Sequence, residues 1–317
     1  MTDVPNVPER SIEEAFIHRP VLVQEVITAL ALRPFTRKIY FDCTVGLGGH
    51  AEAILNATAP DGKVVGIDRD EEALRVAERR LRKYGERVAL RKGSFKEIGR
   101  IAEGLGLKEI DGILFDLGLS SVQLDDPERG FSFQKPGPLD MRMDREQKET
   151  AADWVNRLSL SELASVIQKY GEERWAKRIA SAIVRFRAEK GAVTRTDELE
   201  SIIWRAIPPS ARYQRIHPAT RTFQALRMAV NDEIGQMEAG IEGAIPLLAP
   251  GGRLVVISFH SLEDRFVKRT FKKWGEGESA LGRYRVLYKK PVVAGPEEVA
   301  QNPRARSAKL RALERAA

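Results

Sequence analysis

Apolar residues follow two regular patterns along the first third of the chain. Short apolar runs predict strands at residues 39–41, 63–68, 88–90 and 112–116. Between these runs the apolar positions recur at helical spacing, as in the stripe over residues 73–81 that follows a capping Asp70. Strands and helices that alternate at this spacing are typical of βαβ units. We therefore predict an α/β fold with a mostly parallel sheet.

The alternation stops after the fourth predicted strand. Residues 117–144 have no sustained period, yet they contain many apolar side chains, which disfavours disorder. This segment has two interpretations, a lid over a substrate or cofactor and ordinary packing between domains. About three helices follow, the first behind a capping box of Ser159 and Glu162. A long helix near Pro218 then leads to a fifth buried strand at 253–259.

This order of elements predicts a sheet domain interrupted by an inserted all-helical domain. We assign residues 1–125 to the first, cofactor-binding part of the sheet domain and residues 226–295 to its second part. The insert with its lid loop covers residues 126–225. Residues 296–317 form a basic C-terminal tail, which we expect to be a short helix or disordered.

Composition and charge narrow the class of protein. A hydrophobic content of 43% supports a substantial core, and no apolar run approaches the roughly 20 residues that span a bilayer. The polar N-terminus and the single Cys43 fit a cytoplasmic protein with no disulfide and no thiolate metal site.

The net charge of +7 is concentrated in two segments. Residues 283–317 hold nine Lys or Arg against three Glu, and residues 150–222 hold thirteen basic against eight acidic side chains. Such surfaces suggest a polyanionic partner, because each neutralised phosphate releases counterions. A simply solvated surface explains the charge equally well.

Residues 39–55 join the first strand to a helix through a turn that contains Gly46, Gly48 and Gly49. In an open α/β sheet, ligands bind beyond the carboxyl ends of the strands, so four loops are expected to converge there. These loops carry residues 46–50, Asp68, Phe95 and Asp116. The carboxylate of Asp68, 22 positions after Gly46, can accept hydrogen bonds from both ribose hydroxyls of an adenosine.

The glycine spacing leaves three interpretations of this turn open. A dinucleotide fingerprint would be Gly-x-Gly-x-x-Gly, whereas here position 51 is alanine. S-adenosylmethionine has no pyrophosphate and carries a positive charge on sulfur, which the carboxylates of Asp42 and Asp116 would favour. We therefore prefer S-adenosylmethionine over a nicotinamide dinucleotide and over a purely structural glycine turn.

Several of these residues also have ordinary structural explanations. Asp42 could cap nearby backbone amides, and Phe95 could either stack on an adenine or belong to the core. His217 and His260 flank the helix and strand that return to the sheet, and each suits a base, a phosphate contact or a structural histidine. Four aspartates within residues 125–144 lack a recognisable coordination spacing, so no metal site is predicted.

Longer motifs stand in a definite order along the chain, namely His18-Arg-Pro-Val-Leu, Asp42-Cys-Thr-Val-Gly-Leu-Gly-Gly-His, Gly66-Ile-Asp-Arg-Asp, Asp111-Gly-Ile-Leu-Phe-Asp-Leu-Gly-Leu-Ser-Ser, Arg129-Gly-Phe-Ser-Phe, Gly137-Pro-Leu-Asp-Met-Arg-Met-Asp, Tyr170-Gly-Glu-Glu-Arg, Thr220-Arg-Thr-Phe-Gln-Ala and Ser258-Phe-His-Ser-Leu-Glu-Asp-Arg. With these motifs, the chain closely resembles the bacterial 16S ribosomal RNA (cytosine-N4)-methyltransferases of the RsmH (MraW) family. The resemblance covers roughly residues 18–269.

The resemblance implies a class I methyltransferase fold with a helical insertion. It also implies that S-adenosylmethionine is used to methylate a cytosine at the decoding centre of the small ribosomal subunit. By matching positions, the cofactor contacts of the family fall on Gly48, Gly49, His50, Asp68, Phe95, Asp116 and Gln123. Asp42 and Gly46 of the glycine turn complete the predicted cofactor site. The chain departs from the family at Val122, where a proline is usual; its loss frees a backbone dihedral and adds a donor.

The exocyclic N4 of cytosine is a poor nucleophile because its lone pair is delocalised into the ring. Acceptors for the amino hydrogens and correct placement can therefore supply much of the catalysis. We expect Asp116, Ser120 and Ser121 to accept from N4 and His260 to orient the base or take the proton. The insert and the basic tail are expected to hold RNA phosphates of 16S RNA or the small subunit, and the sequence leaves a homodimer open.

Two other classes of protein are alternatives to this methyltransferase. A nicotinamide-dependent oxidoreductase is disfavoured by the missing third fingerprint glycine. A non-catalytic RNA-binding assembly factor would share the basic regions, which by themselves do not exclude it.

Overall fold

The computed structural model describes residues 20–213, 215–277 and 282–317. These residues form two compact units. The first unit contains the chain up to Ser120 together with Gly235–Ala317, and the second unit is Ser121–Ile234. The limits predicted for the insert, 126 and 225, stay a prediction. The first two residues of the His18-Arg-Pro-Val-Leu motif lie outside the described residues.

The first unit is built on an eight-stranded sheet. Its strands are β1 (Ile39–Asp42), β2 (Lys63–Asp68), β3 (Val88–Lys92), β4 (Ile110–Asp116), β5 (Leu248–Ser258), β6 (Tyr284–Val286), β7 (Val292–Val293) and β8 (Lys309–Arg315). They lie in the order β3-β2-β1-β4-β5-β8-β6, and β7 also pairs with β8. Strands β1 to β5 pair in parallel, and β8 runs antiparallel to its neighbours. The predicted α/β class with a mostly parallel sheet is confirmed.

Helices connect the parallel strands and make up most of the second unit. In chain order they are α1 (Val23–Ala29), α2 (Gly49–Ala57), α3 (Glu71–Leu81), α4 (Ile98–Gly104), α5 (Ser121–Asp125), α6 (Ala151–Arg157), α7 (Leu160–Gly171), α8 (Ala176–Lys190), α9 (Thr196–Ala206), α10 (Thr220–Val230), α11 (Glu233–Ala244), α12 (Ser261–Glu276) and α13 (Pro296–Gln301). Among the described residues, every helix is too short or too polar to cross a membrane.

Helix α3 shows how local sequence sets these elements. The Asp70 side chain caps it by accepting hydrogen bonds from the backbone N–H groups of Glu72 and Ala73. Its apolar residues recur at helical spacing and are buried, so one face packs against the sheet while charged side chains occupy the other. Leu74 and Leu81 join one core cluster with side chains from α2, β4, β5 and β8. Burying a leucine of this kind stabilises the fold by about 1.5–3 kcal/mol.

Strand β8 was not predicted from the sequence. We expected residues 296–317 to form a short helix or to be disordered, which is correct for α13 and wrong for β8. Leu310, Ala312 and Leu313 are buried, and Leu313 lies opposite Leu254 of β5. The strand was missed because Arg311 and Glu314 interrupt its apolar residues and Lys309 and Arg315 flank them, so charge masked the pattern.

The charges on β8 are largely neutralised within the first unit. Asp264 accepts a 2.7 Å hydrogen bond from Nε of Arg311 and lies 3.5 Å from Nζ of Lys309. Because of these cations, the pKa of Asp264 lies below its ordinary value although burial works against the shift. Arg315 lies within ion-pair distance of Glu109. This end of the chain therefore presents fewer available cations than its sequence suggests.

In the second unit, the segment at 126–144 is packed and hydrogen-bonded. Arg129 is buried, and its guanidinium donates to the carbonyl oxygens of Arg142 and Met143, both at 3.1 Å. The buried Asn231 accepts from the Met143 N–H and donates to the Met141 carbonyl. If this segment moved by itself as a flap, these buried hydrogen bonds would be broken at a cost of about 1–3 kcal/mol for each group left unpaired.

Truncating Leu313 should test whether β8 belongs to the cooperative fold. Leu313→Ala leaves a cavity in the sheet core, so we expect the free energy of unfolding to fall by about 2–5 kcal/mol in urea denaturation. Arg306→Ala, at an exposed position nearby, is the control and should change it by less than about 0.5 kcal/mol. Equal and small effects of both substitutions would show that β8 adds nothing to stability.

Candidate active site

The carboxyl ends of β1, β2 and β4 meet at one edge of the sheet. Asp42, the last residue of β1, lies in register with Gly66 of β2 and Leu114 of β4. Asp68 and Asp116 end these two neighbouring strands, so the three predicted carboxylates emerge at the same edge. The predicted convergence is confirmed for the loops after β1, β2 and β4, since these strands are parallel and adjacent.

The glycine turn is tied to the neighbouring strands by backbone hydrogen bonds. The N–H of Cys43 donates to the Leu114 carbonyl, and the N–H of Val45 donates to the Ile67 carbonyl. Gly48 has φ +82°, and a Cβ there would lie 3.2 Å from the Leu81 side chain. A glycine is needed at this position because both the backbone conformation and the approach of α3 disfavour a side chain.

Two side chains of the site also stabilise the turn itself. Asp68 accepts hydrogen bonds from the N–H groups of Gly46 at 2.8 Å and Asp70 at 2.9 Å. Thr44 Oγ1 accepts from the Asp116 N–H at 2.6 Å, which links the turn to the end of β4. Sequence reasoning missed Thr44, although a hydroxyl inside a glycine turn is the signal that could have identified it.

A buried imidazole lies among the carboxylates. His50, in the first turn of α2, has its Nε2 3.4 Å from Oδ2 of Asp116. Asp42 is only 1% exposed, and its Oδ1 accepts a 3.3 Å hydrogen bond from the Thr44 N–H. Asp42 therefore does cap a backbone amide, as the alternative interpretation proposed, but only one of its two oxygens is used.

Burial dominates the electrostatics of this cluster. It raises the pKa of Asp42 to about 7, against the opposing effects of His50 and the Thr44 N–H. Burial also raises the pKa of Asp68. Burial lowers the pKa of His50, but the carboxylates of Asp116 and Asp42 outweigh it, and the net shift is upward. Near neutral pH the cluster therefore holds protons that isolated carboxyl groups would have lost.

Phe95 follows β3 and lies in a short 3₁₀ turn capped by Ser94. Its ring contacts the buried Phe115 edge to face, with 5.4 Å between centroids, and a Cβ on Gly240 would come within 2.7 Å of it. These contacts are those of a partly buried residue at the margin of the core. The interpretation as a core residue thus has direct support, and an adenine platform stays a prediction.

His260 lies just beyond the carboxyl end of β5 and caps α12. Its Nδ1 accepts from the Glu263 N–H, while its Nε2 lies 2.9 Å from Oε1 of the same residue. The buried Glu263 also accepts from the N–H groups of Phe259 and His260. The structural role proposed as an alternative for His260 is therefore present.

Three further residues of the predicted site, Ser120, Ser121 and Gln123, follow β4 in the sequence. Ser120 is partly buried just after β4 in the first unit. Gln123 is buried within α5 of the second unit, so the chain forms a helix here with Val122 in place of the usual proline. The Ser121 side chain lies outside what the structure describes.

Several buried polar atoms at the turn have no hydrogen-bond partner among the described residues. They are Oδ2 of Asp42, Oδ1 of Asp116 and Nδ1 of His50, while Nε2 of His50 has only the Asp116 carboxylate, 3.4 Å away. Buried polar atoms are nearly always paired in folded proteins, so this group points to a ligand. Two of these atoms are carboxylate oxygens, which suit a cation with hydrogen-bond donors. The sulfonium and the amino group of S-adenosylmethionine meet that description, so the residues present fit this cofactor.

The sheet order, the glycine turn and the acidic strand ends define a class I methyltransferase that depends on S-adenosylmethionine. The sequence model of the MraW methylase family matches residues 15–316. The chain belongs to the MraW methylase family. This membership sets aside the oxidoreductase and the non-catalytic assembly factor.

Individual relatives agree with the family assignment. Ribosomal RNA small subunit methyltransferase H of Geobacter sulfurreducens is 54% identical over 95% of this chain and 99% of its own. The protein of the same name from Symbiobacterium thermophilum is 51% identical over 94% and 96%. The solved structure of an rRNA methylase from Streptococcus thermophilus aligns with 95% of this chain and 99% of its own, at TM-score 0.43 and 12% identity.

Neutralising Asp42 should stabilise the protein without cofactor in a pH-dependent way. Because its folded-state pKa is raised, Asp42 contributes stability that is complete below about pH 4 and is lost as the pH rises through about 7. Asp42→Asn keeps an acceptor and cannot ionise. We expect it to raise the free energy of unfolding by roughly 1–3 kcal/mol at pH 8 and by little at pH 4.

Urea denaturation at both pH values measures this difference. Glu103→Gln, which neutralises an exposed carboxylate of the same unit, is the control. A gain that is equal at pH 4 and pH 8 would contradict the assignment of a buried, partly protonated Asp42.

Proposed function

We propose that this protein transfers the methyl group of S-adenosylmethionine to N4 of a cytosine in 16S ribosomal RNA, at the decoding centre of the small subunit. That the chain is a ribosomal RNA methyltransferase follows from its family and from relatives more than 50% identical over nearly its whole length. The position in the RNA and the acceptor atom are the proposal. The cytoplasm, where ribosomes are assembled, is the proposed location.

One observation carries the proposed chemistry. At the glycine turn, buried carboxylate oxygens of Asp42 and Asp116 have no hydrogen-bond partner among the described residues. A methyl donor with a positive sulfur and an acceptor amine with two N–H groups both need such oxygens. No strong base is required before attack, because the amine is neutral and its proton becomes acidic only as the N–C bond forms.

We assign the cofactor to Asp42, Gly46, Gly48, Gly49, His50, Asp68, Phe95, Asp116 and Gln123. S-adenosylmethionine supplies the methyl group and a neutral thioether leaving group. Asp68 accepts hydrogen bonds from the ribose hydroxyls with the carboxylate lone pairs that the N–H groups of Gly46 and Asp70 leave unused. The negative charge of Asp42 and Asp116 stabilises the cationic end of the cofactor.

The chain's own residues then place the acceptor base. Asp116, with the Ser120-Ser121 segment that follows β4, accepts from the N4 amino group and holds its lone pair toward the methyl group. His260 orients the base or receives the proton that N4 loses, with Glu263 fixing its ring. The base must leave its stack to reach these groups.

The proposed partner is 16S RNA or the small subunit, and sedimentation at working concentration tests the further hypothesis of a homodimer.

Substituting Asp68 should separate cofactor binding from the rest of the reaction. Asp68→Ala removes the proposed ribose acceptor, so we expect at least a tenfold loss of S-adenosylmethionine affinity in calorimetry, since a hydrogen bond to a charged group contributes about 1.5–3 kcal/mol. Asp61→Ala, in the loop before β2, is the control and should bind normally. Thermal unfolding of both variants verifies that the turn survives. Unchanged affinity in Asp68→Ala would refute the ribose assignment.

Methylation of a defined particle tests the reaction itself. Small-subunit particles that lack the modification are incubated with labelled S-adenosylmethionine, and the RNA is analysed by mass spectrometry. We expect one methyl group on N4 of a single cytosine. In Asp116→Ala we expect kcat to fall about a hundredfold or more, because a fixed acceptor for the reacting amine is lost.

Asp111→Ala, at the opposite end of β4, is the matched control. Asp111 accepts from the Ile39 N–H, so its loss should lower stability and leave turnover within a few-fold. A methyl group on another atom would refute the N4 assignment. A normal rate in Asp116→Ala would remove that residue from the mechanism.

A further inference from the structure

One surface of the second unit exposes a large aromatic side chain. Tyr213 lies in the connection between α9 and α10 and is 86% exposed. Two residues along, Arg215 is exposed, and Ile216 next to it is 54% exposed. A single exposed tyrosine is common in folded proteins. The contacts that hold its ring and the charges near it therefore decide whether it is a binding residue.

Tyr213 is the outer end of a row of contacting rings. Its ring meets Trp204 edge to face at 5.8 Å between centroids, and Trp204 stacks on His217 at 5.5 Å and 20°. His217 contacts Phe133 at 4.8 Å, and Phe133 contacts the buried Phe223 at 4.9 Å. The row runs from solvent into the core of the unit. The outer ring is therefore supported from below before any ligand arrives.

The backbone beneath Tyr213 is held in place by Arg212. Its Nε donates to the Ile207 carbonyl at 2.9 Å, and its guanidinium carbon lies 5.7 Å from the centre of the Trp204 ring. The prolines at 208 and 209 further restrict this connection, and Pro209 begins a short 3₁₀ turn. Little conformational freedom would be lost when a planar ligand stacks on Tyr213.

Arginines precede and follow Tyr213 in the sequence. Arg205 and Arg215 are exposed and form no ion pair with any carboxylate in the described part of the chain. Arg221 is also exposed, and its guanidinium donates only to the Glu172 carbonyl oxygen among the described groups. The carboxylate of Glu200 lies 3.4 Å from Nε2 of His217, which is one of the inner rings of the row. A polyanion would thus meet cations at the solvent face.

We infer that Tyr213 stacks on one unpaired base of the RNA substrate while Arg205 and Arg215 bind the phosphates beside it. An aromatic ring bordered by arginines is the arrangement that proteins use for single-stranded RNA, because every base has a face to stack and a phosphate to neutralise. A protein partner would use the same residue types, but the surplus of unpaired arginine favours a polyanion. The inference rests on the proposed function only in taking ribosomal RNA as the strand.

The test compares ring and charge variants in equilibrium binding and in methylation. Tyr213→Ala should weaken binding of small-subunit RNA and raise KM for the particle about tenfold, the loss that removal of a stacked aromatic causes. Tyr213→Phe keeps the ring and should stay within about twofold. The kcat and the affinity for S-adenosylmethionine should be unchanged in both. Arg215→Ala should reduce the slope of log K against log salt by about one.

Phe35→Ala in the first unit is the matched control, since Phe35 is also a large exposed aromatic, at 78%. It should leave RNA binding unchanged. Photocrosslinking with RNA that contains 4-thiouridine should label the peptide around Tyr213 in the wild type. Normal RNA binding by Tyr213→Ala would overturn the inference, as would equal losses in Tyr213→Phe and Tyr213→Ala.

The failure of the proposed function gives a different pattern. A wild-type protein that binds RNA through Tyr213 without methylating N4 would refute the reaction and keep the stacking site. A wild-type protein that methylates N4 at a rate indifferent to Tyr213 would keep the reaction and refute the stacking site. An effect of Tyr213→Ala on a protein ligand alone would likewise count against an RNA contact.

Discussion

The site of the first unit depends on carboxylates that are brought together, largely out of solvent, at the ends of parallel strands. Asp42, Asp68 and Asp116 emerge side by side because β1, β2 and β4 are adjacent and run the same way. Burial makes ionisation of Asp42 and Asp68 unfavourable, and the backbone N–H groups of residues 44, 46 and 70 compensate only part of that cost. A cationic ligand supplies the rest. The fold therefore carries a local instability that its cofactor relieves.

Much of this unit could be predicted because its strands are short apolar runs that end in charge. The turn at Gly46 and Gly48 could also be predicted, because glycines between a strand and a helix mark a tight turn. What could not be predicted depends on contacts between distant residues. Thr44 accepts from a strand end 72 positions away, and Asp264 accepts from Arg311, 47 positions later in the chain.

Charged residues in the sequence obscured buried structure in both units. In β8, basic residues concealed a buried strand, because Arg311 is neutralised by Asp264 and not by solvent. In the segment at 126–144, the buried Arg129 is satisfied by carbonyl oxygens that no local pattern reveals. Around Tyr213, by contrast, the arginines stay on the surface. The two basic regions of equal appearance in the sequence thus differ physically, and the second unit offers the better surface for RNA.

The position of β8 also has a consequence for folding during synthesis on the ribosome. Strand β5 acquires its second neighbour only when residues 309–315 have been made, about 50 residues later. At typical elongation rates of about 5–20 residues per second, one side of β5 lacks its partner strand for several seconds. During that interval its backbone groups and apolar side chains can pair with another chain. The yield of folded protein in a cell would thus depend on how quickly β8 closes that gap or another protein shields it.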